Sequence, residues 1–156
     1  MAIKILNIGK SKNNYLVQGV QDYIARLGKY AVVHWVELQD AKKKNYKTVE
    51  ELKKLEADIF LSEVKANTYL IGLDENGKGY TSRDFAKQIN TWTRAHGDVT
   101  FVIGGAFGFH ENMFSRMNAK ISLSRMTLSH QMVRLLLVEQ IYRGYSILNG
   151  EPYHND

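Results

Sequence analysis

Three stretches of the sequence hold the groups best placed to do chemistry. Residues 101–110 read FVIGGAFGFH, so an apolar run meets Gly104 and Gly105 directly, with Gly108 three positions on. Glycine has no Cβ, so such a loop either turns tightly with positive φ or lets a flat ligand lie against its backbone. The spacing is neither G-x-G-x-x-G nor a P-loop, and the stretch contains no lysine, so triphosphate hydrolysis has little support. Gly104 is the position expected to touch a ligand, with Gly105 and Gly108 letting the backbone turn.

The second stretch is SLSRMTLSHQMVR, residues 122–134. A strand gives way to a hydroxyl-rich loop and then to a helix that Ser129 can cap. Loop backbone of this kind can hold an adenine or ribose, and a helix N-terminus favours anions. An ordinary strand-to-helix connection reads the same way. His130 falls in the first turn of that helix, either as a hydrogen-bonded structural residue or as a catalyst. The third stretch is the tail GEPYHND, which holds the only proline beside Tyr153 and His154. These two side chains suit stacking and hydrogen bonding to a base, against the alternative of a frayed end. Arg143, near the end of a mostly apolar helix, is either a helix-end charge or an anion contact.

Other chemistries are poorly provided for. The chain has no cysteine, no H-E-x-x-H and no G-x-S-x-G. Thiolate nucleophiles are excluded, no metal is expected, and hydrolysis ranks low.

Around these stretches the 156 residues read as one domain of ordinary composition. Apolar runs at 2–8, 31–38, 68–74, 99–105 and 119–124 predict strands. Helical spacing follows at 15–27, at 49–64, in the stretch FAKQINTWTRA behind a Thr81–Asp84 capping box, and from about 130 to Asn149. HENMFSRM predicts a short helix, and the Asn-Gly of ENGKG a turn. Alternating strands and helices make an α/β fold with a largely parallel sheet flanked by helices. Ligands of such sheets sit beyond the C-terminal strand ends, here after Leu73, Ile103 and Leu123. The last helix is apolar on most sides, from Met132 to Leu148, and needs burial on more than one face, within the chain or in a homodimer.

Lysine and arginine exceed aspartate and glutamate by 21 − 16 = 5, which favours a polyanionic partner such as RNA over a neutral one. Lys42, Lys43, Lys44 and Lys47 crowd into one aperiodic segment, expected as a solvated loop or as phosphate contacts. No stretch has the roughly 18 apolar residues that cross a bilayer, and no secretory signal is evident, so a soluble cytoplasmic protein is expected.

FVIGGAFGFH, the block LSRMTLSHQMVRLLLVEQIYRGYSI and the final PYH together closely resemble the RlmH-type enzymes of the SPOUT methyltransferase superfamily. Chain length, an opening like IKILNIGK and the order of motifs extend the resemblance over the whole chain. It implies a single homodimeric SPOUT domain over 1–156, with the cofactor-binding part in about residues 70–156 threaded as a trefoil knot. Nothing in the periodicity indicates a knot, and general topology rules count against one.

S-adenosylmethionine is the implied cofactor, lying bent in the knot and held mainly by backbone. Carried onto this sequence, its contacts fall at Leu73, Gly104, Leu123, Ser124, Arg125, Met126, Thr127 and Leu128. These coincide with the strand ends singled out by the α/β rule. One departure is Ser129-His130, where many members carry proline before the histidine; serine caps the helix that proline would have started.

The implied reaction methylates N3 of a pseudouridine in large-subunit (23S) ribosomal RNA, in the helix 69 loop. Such a transfer needs alignment, exclusion of water and removal of the imide proton, with neither metal nor covalent intermediate. Tyr153 and His154 would position the base, His154 being the better proton acceptor. Arg143 would stabilise developing negative charge or hold a neighbouring phosphate. The competing readings are a non-catalytic RNA-binding or ribosome-associated factor that kept the fold and, third, a nucleotide-binding metabolic enzyme.

Overall fold

Among the described residues, apolar runs and helical segments alternate as five strands and five helices. A computed structural model describes residues 1–41 and 44–156. The elements are β1 (Ala2–Ile8), α1 (Asn14–Leu27), β2 (Val32–Leu38), α2 (Val49–Glu63) and β3 (Tyr69–Gly79). They continue as α3 (Ser82–His96), β4 (Val99–Ile103), α4 (Glu111–Arg116), β5 (Ala119–Ser122) and α5 (Met132–Leu148). All strands run parallel in the order β2-β1-β4-β3-β5. Every strand therefore ends at the same edge, and the loops after β3, β4 and β5 converge there.

Side chains alternate across the sheet with period two. Ile3, Ile5, Ile71, Val99, Phe101 and Ile103 face α1, α3 and α5, while Leu6, Ile8, Leu70 and Val102 face α2 and α4. The central strand β4 is buried along its whole length. Each such aliphatic or aromatic side chain contributes about 1.5–3 kcal/mol by leaving water. Thr48 and Thr81 cap α2 and α3 by accepting the amides of Glu51 and Asp84, each at 3.1 Å.

The expected strand over 68–74 with a turn behind it is instead one strand running to Gly79 with a bulge inside it. Leu73 and Lys78 both lie opposite Ile121 of β5, and the residues between them are looped out. Gly77 permits this: a Cβ there would stand 2.6 Å from the backbone N and C of Ile121. The Asn-Gly pair therefore supplies close backbone approach rather than a chain reversal. Two other strands are shorter than expected, β4 ending at Ile103 and β5 at Ser122.

The broad apolar surface of α5 finds most of its burial within one chain. The helix packs on both α1 and α3, and Leu137, Val138, Ile141, Tyr142 and Tyr145 are buried. Among the described residues no helix is long and apolar enough to cross a membrane. Of the clustered lysines, Lys42 and Lys43 lie outside the described residues; Lys44 and Lys47 are exposed.

Candidate active site

The converging loops enclose a cavity of about 310 Å³ at the ends of β3, β4 and β5, within the size range of small-molecule sites. Its first wall is Leu73 with Asp74 and Glu75, the residues that open the bulge in β3. The second is the glycine loop. A Cβ on Gly104 would come within 3.2 Å of the Phe109 ring, which is itself fixed against Phe60 and Phe114. Gly108 has φ +80°, and its amide donates to the Gly105 carbonyl at 3.2 Å. Gly105 has a different reason from the one expected: its φ is not positive, but a Cβ would collide with the carboxylate of buried Glu56. Ala106 and Phe107 form the tip, with Phe107 54% exposed.

The third wall is the segment after β5. Ser122 donates to the Ser124 carbonyl at 2.8 Å, and Ser124 Oγ accepts the Met126 amide at 2.9 Å. This local hydrogen bonding ends the strand and coils the chain around the cavity. Ser129 Oγ accepts the Met132 amide at 3.1 Å, so serine does cap α5. His130 lies in the turn just before the helix and lines the cavity with Val133. Of the eight residues expected to hold a cofactor, Leu73, Gly104, Leu123, Ser124, Met126, Thr127 and Leu128 line this cavity; Arg125 is exposed outside it.

The first turn of α5 also carries a buried cation, which the sequence showed only as a break in an apolar run. Arg134 is 1% exposed and donates to the Ile8 carbonyl at 2.6 Å, the Gly9 carbonyl at 3.0 Å and Ser11 Oγ at 3.2 Å. Glu37 stands 3.7 Å away. Burial pushes the guanidinium down from its ordinary pKa, and Glu37 opposes that shift. Burial would raise the Glu37 carboxyl, but hydrogen bonds from Ser11 and Trp35, with Arg134 nearby, hold it below its ordinary value. Gln131 grips the same loop, donating to the Lys10 carbonyl at 3.3 Å and accepting the Lys12 amide at 3.1 Å.

The tail is pinned rather than frayed. Tyr153 packs edge-on against Tyr142, shares a 2.9 Å hydrogen bond with Tyr23 and donates to Glu139 at 3.1 Å. Arg143 lies 4.7 Å above the Tyr153 ring, pairs with Glu139 at 2.5 Å and reaches His154 Nδ1 at 3.3 Å. His154 Nε2 meets Asp156 at 2.9 Å, and Asp156 is held by Arg83. Arg143, Tyr153 and His154 thus come together as one cluster, but none of them lines the cavity. Arg143 is ten residues beyond Val133 on α5, about 15 Å along the axis.

Burial, Tyr23 and the Glu139 carboxylate together push the Tyr153 phenol far above its ordinary pKa. A tyrosine with a raised folded pKa stabilises the fold below its unfolded value, and that contribution is lost only as pH rises through the folded one. Absorbance titration at 295 nm is expected to give superimposable curves for the wild type and Tyr153→Phe up to about pH 11. A phenol lost from the titration near pH 10 in the variant would contradict it. Tyr153 is therefore a neutral donor at working pH, not a base.

A family model described as predicted SPOUT methyltransferase matches residues 1–154. The chain belongs to the SPOUT methyltransferase family. Relatives named "Ribosomal RNA large subunit methyltransferase H" include one from Clostridium tetani, 42% identical over 158 residues covering 99% of both chains. Others come from Enterococcus faecalis, at 40%, and Listeria monocytogenes, at 42%, with the same coverage. The SPOUT family is one of methyltransferases, and membership implies S-adenosylmethionine as methyl donor. The cavity fits such a group: its walls are the loops after β3, β4 and β5, and a Cβ on Gly104 would crowd the Phe109 ring that lines it. Sequence reasoning passed over Asp74, Glu75 and Phe107 as cavity residues. The α/β rule places the first two directly beyond Leu73 and could have found them; the exposure of Phe107 had no signal of its own.

Proposed function

We propose that this protein methylates N3 of a pseudouridine in 23S ribosomal RNA, in the helix 69 loop, as a cytoplasmic homodimer. The observation that carries this reading is the loop-lined cavity at the strand ends, in a chain whose full-length relatives bear a large-subunit rRNA methyltransferase name. Leu73, Gly104 and the 123–128 loop hold the cofactor, with the exposed Arg125 contributing its backbone or none at all. When bound, S-adenosylmethionine supplies an activated methyl group on a sulfonium, so the hard chemistry is the cofactor's.

The chain's own residues bind, orient and handle one proton. The cavity walls exclude water from the reacting centre. His154 accepts the N3 imide proton, Arg143 offsets the negative charge that develops on the base, and Tyr153 orients it with its neutral hydroxyl. In one protomer these three groups stand away from the cavity. A homodimer that sets the tail of one protomer at the cavity of the other completes the site. The trefoil knot expected of the C-terminal region belongs to the same proposal, since it would lock the 123–131 loop against the glycine loop.

Calorimetry with S-adenosylhomocysteine tests the cofactor part. The wild type is expected to bind, and Gly104→Val to lose at least about tenfold in affinity, because a side chain there must displace Phe109 or fill the cavity. Equal affinities would remove Gly104 from the site. A wild type that binds ribosomal RNA but no S-adenosylhomocysteine would instead favour a non-catalytic factor.

A further inference from the structure

Across the glycine loop from the cofactor cavity lies a second, narrower cleft. It holds only about 40 Å³; Asp40 and Glu56 line it together with Lys10, Lys12, Phe107 and Gln131, and Phe107 borders both spaces. The Phe107 ring sits at the tip of the Gly105–Gly108 bridge and is half exposed. An aromatic ring held out on so short a loop is a platform without an occupant from its own chain. His110, at the end of FVIGGAFGFH, is already engaged within the chain. Its Nδ1 accepts the Asn112 amide at 3.1 Å as the cap of α4, and its Nε2 faces Glu50 at 3.8 Å.

The two lysines flank this platform on a loop that cannot drift. Lys10 and Lys12 have exposed side chains, while their backbone is fixed by Gln131 and that of Ile8 and Gly9 by Arg134. Two cations on a pinned loop beside an exposed ring match the recognition chemistry of unpaired RNA, in which bases stack on aromatics and phosphates pair with lysine.

We infer that the exposed rim of this cleft, Phe107 with Lys10 and Lys12, meets the nucleotide next to the one that is methylated, which lies over the rim and not inside the cleft. Phe107 stacks on its base, and Lys10 and Lys12 take the adjoining phosphates. The target base enters the cofactor cavity on the other side of the same loop tip, so the glycine loop separates the two nucleotides. The substrate is accordingly an unstacked RNA loop rather than a duplex. This inference rests on the methyltransferase reading above.

The test uses the full-length protein, ribosomes and labelled S-adenosylmethionine, with circular dichroism confirming that each variant is folded. Phe107→Ala is expected to raise the KM for ribosomes about tenfold, far more than it weakens S-adenosylhomocysteine binding, with Phe107→Trp restoring the KM. Lys10→Gln combined with Lys12→Gln is expected to reduce the slope of log affinity against log salt by about 1.4 in magnitude, as two lost phosphate contacts require. A wild-type KM in Phe107→Ala, or an unaltered salt slope in the double variant, would overturn the inference and leave the methyltransferase reading standing. A Phe107→Ala variant that loses cofactor affinity by as large a factor would overturn it in favour of a lid over the cofactor. A wild type that neither binds S-adenosylhomocysteine nor transfers methyl would instead bring down the reading on which it rests.

Discussion

Replacing His154 with alanine is expected to slow single-turnover methylation of ribosomes by at least about a hundredfold, with S-adenosylhomocysteine affinity unchanged. In the proposed reaction this ring and not Tyr153 would take the proton. An arginine only donates, so the Arg143 contact at 3.3 Å requires a lone pair on Nδ1, and the Nε2 proton then goes to Asp156 at 2.9 Å. Both ring nitrogens of His154 are thus partnered, so Arg143 must release Nδ1 and turn to the base before the ring takes a proton. Arg83 and His154 hold the Asp156 carboxyl down at about 2. A depressed carboxylate stabilises the folded arrangement above its unfolded pKa and loses that contribution only as pH falls toward 2. The Arg83–Asp156 clamp on the ring is therefore intact well into acid.

Arg143→Ala is expected to cost a similar factor, because it removes both the cation near the base and the partner that orients Nδ1. If both variants methylate at the wild-type rate, the tail has no catalytic part. A mixed dimer decides whose cavity the tail serves. Gly104→Val protomers keep a normal tail, and His154→Ala protomers keep a normal cavity. Activity regained in the heterodimer places the tail at the partner's cavity; none regained places it at its own.

The second large effect concerns stability. Arg134→Met is expected to destabilise the protein by about 3 kcal/mol, lowering Tm by about 9 °C for a domain of this size. The loss comes from leaving the Ile8 and Gly9 carbonyls unpaired and Glu37 without its cation. Arg134→Lys should recover only part of this, since one ammonium cannot span three acceptors set for a planar fork. A methionine variant as stable as the wild type in urea unfolding would show that the buried charge is not what fastens the 9–12 loop to α5.

The sequence made the strands and helices legible because their signals are local. The apolar run at 2–8 marks β1, helical spacing marks α2, and the Thr81–Asp84 capping box marks the start of α3. Cavity positions were legible for a second local reason: parallel strands end together, so Leu73, Gly104 and the loop after Leu123 had to converge. What stayed hidden depends on distant partners. Gly77 looked like a turn because nothing near it in sequence announces the backbone of Ile121. Gly105 looked like a hinge because the obstacle to a side chain is Glu56, on α2. Arg134 interrupts an apolar helix, and only the folded β1–α1 loop supplies the carbonyls that make its burial tolerable. The tail carried the right residue types, but its anchorage to Tyr23 and Arg83 comes from α1 and α3.

The most direct measurement is transfer of labelled methyl from S-adenosylmethionine to ribosomes that lack the modification, followed by mapping of the labelled nucleotide. The expected result is one methyl per large subunit, on N3 of a pseudouridine in helix 69, with transfer slowed by Gly104→Val and by His154→Ala. Label on a different nucleotide would contradict the assigned substrate. No transfer by a protein that binds S-adenosylhomocysteine and ribosomes would contradict the assigned reaction.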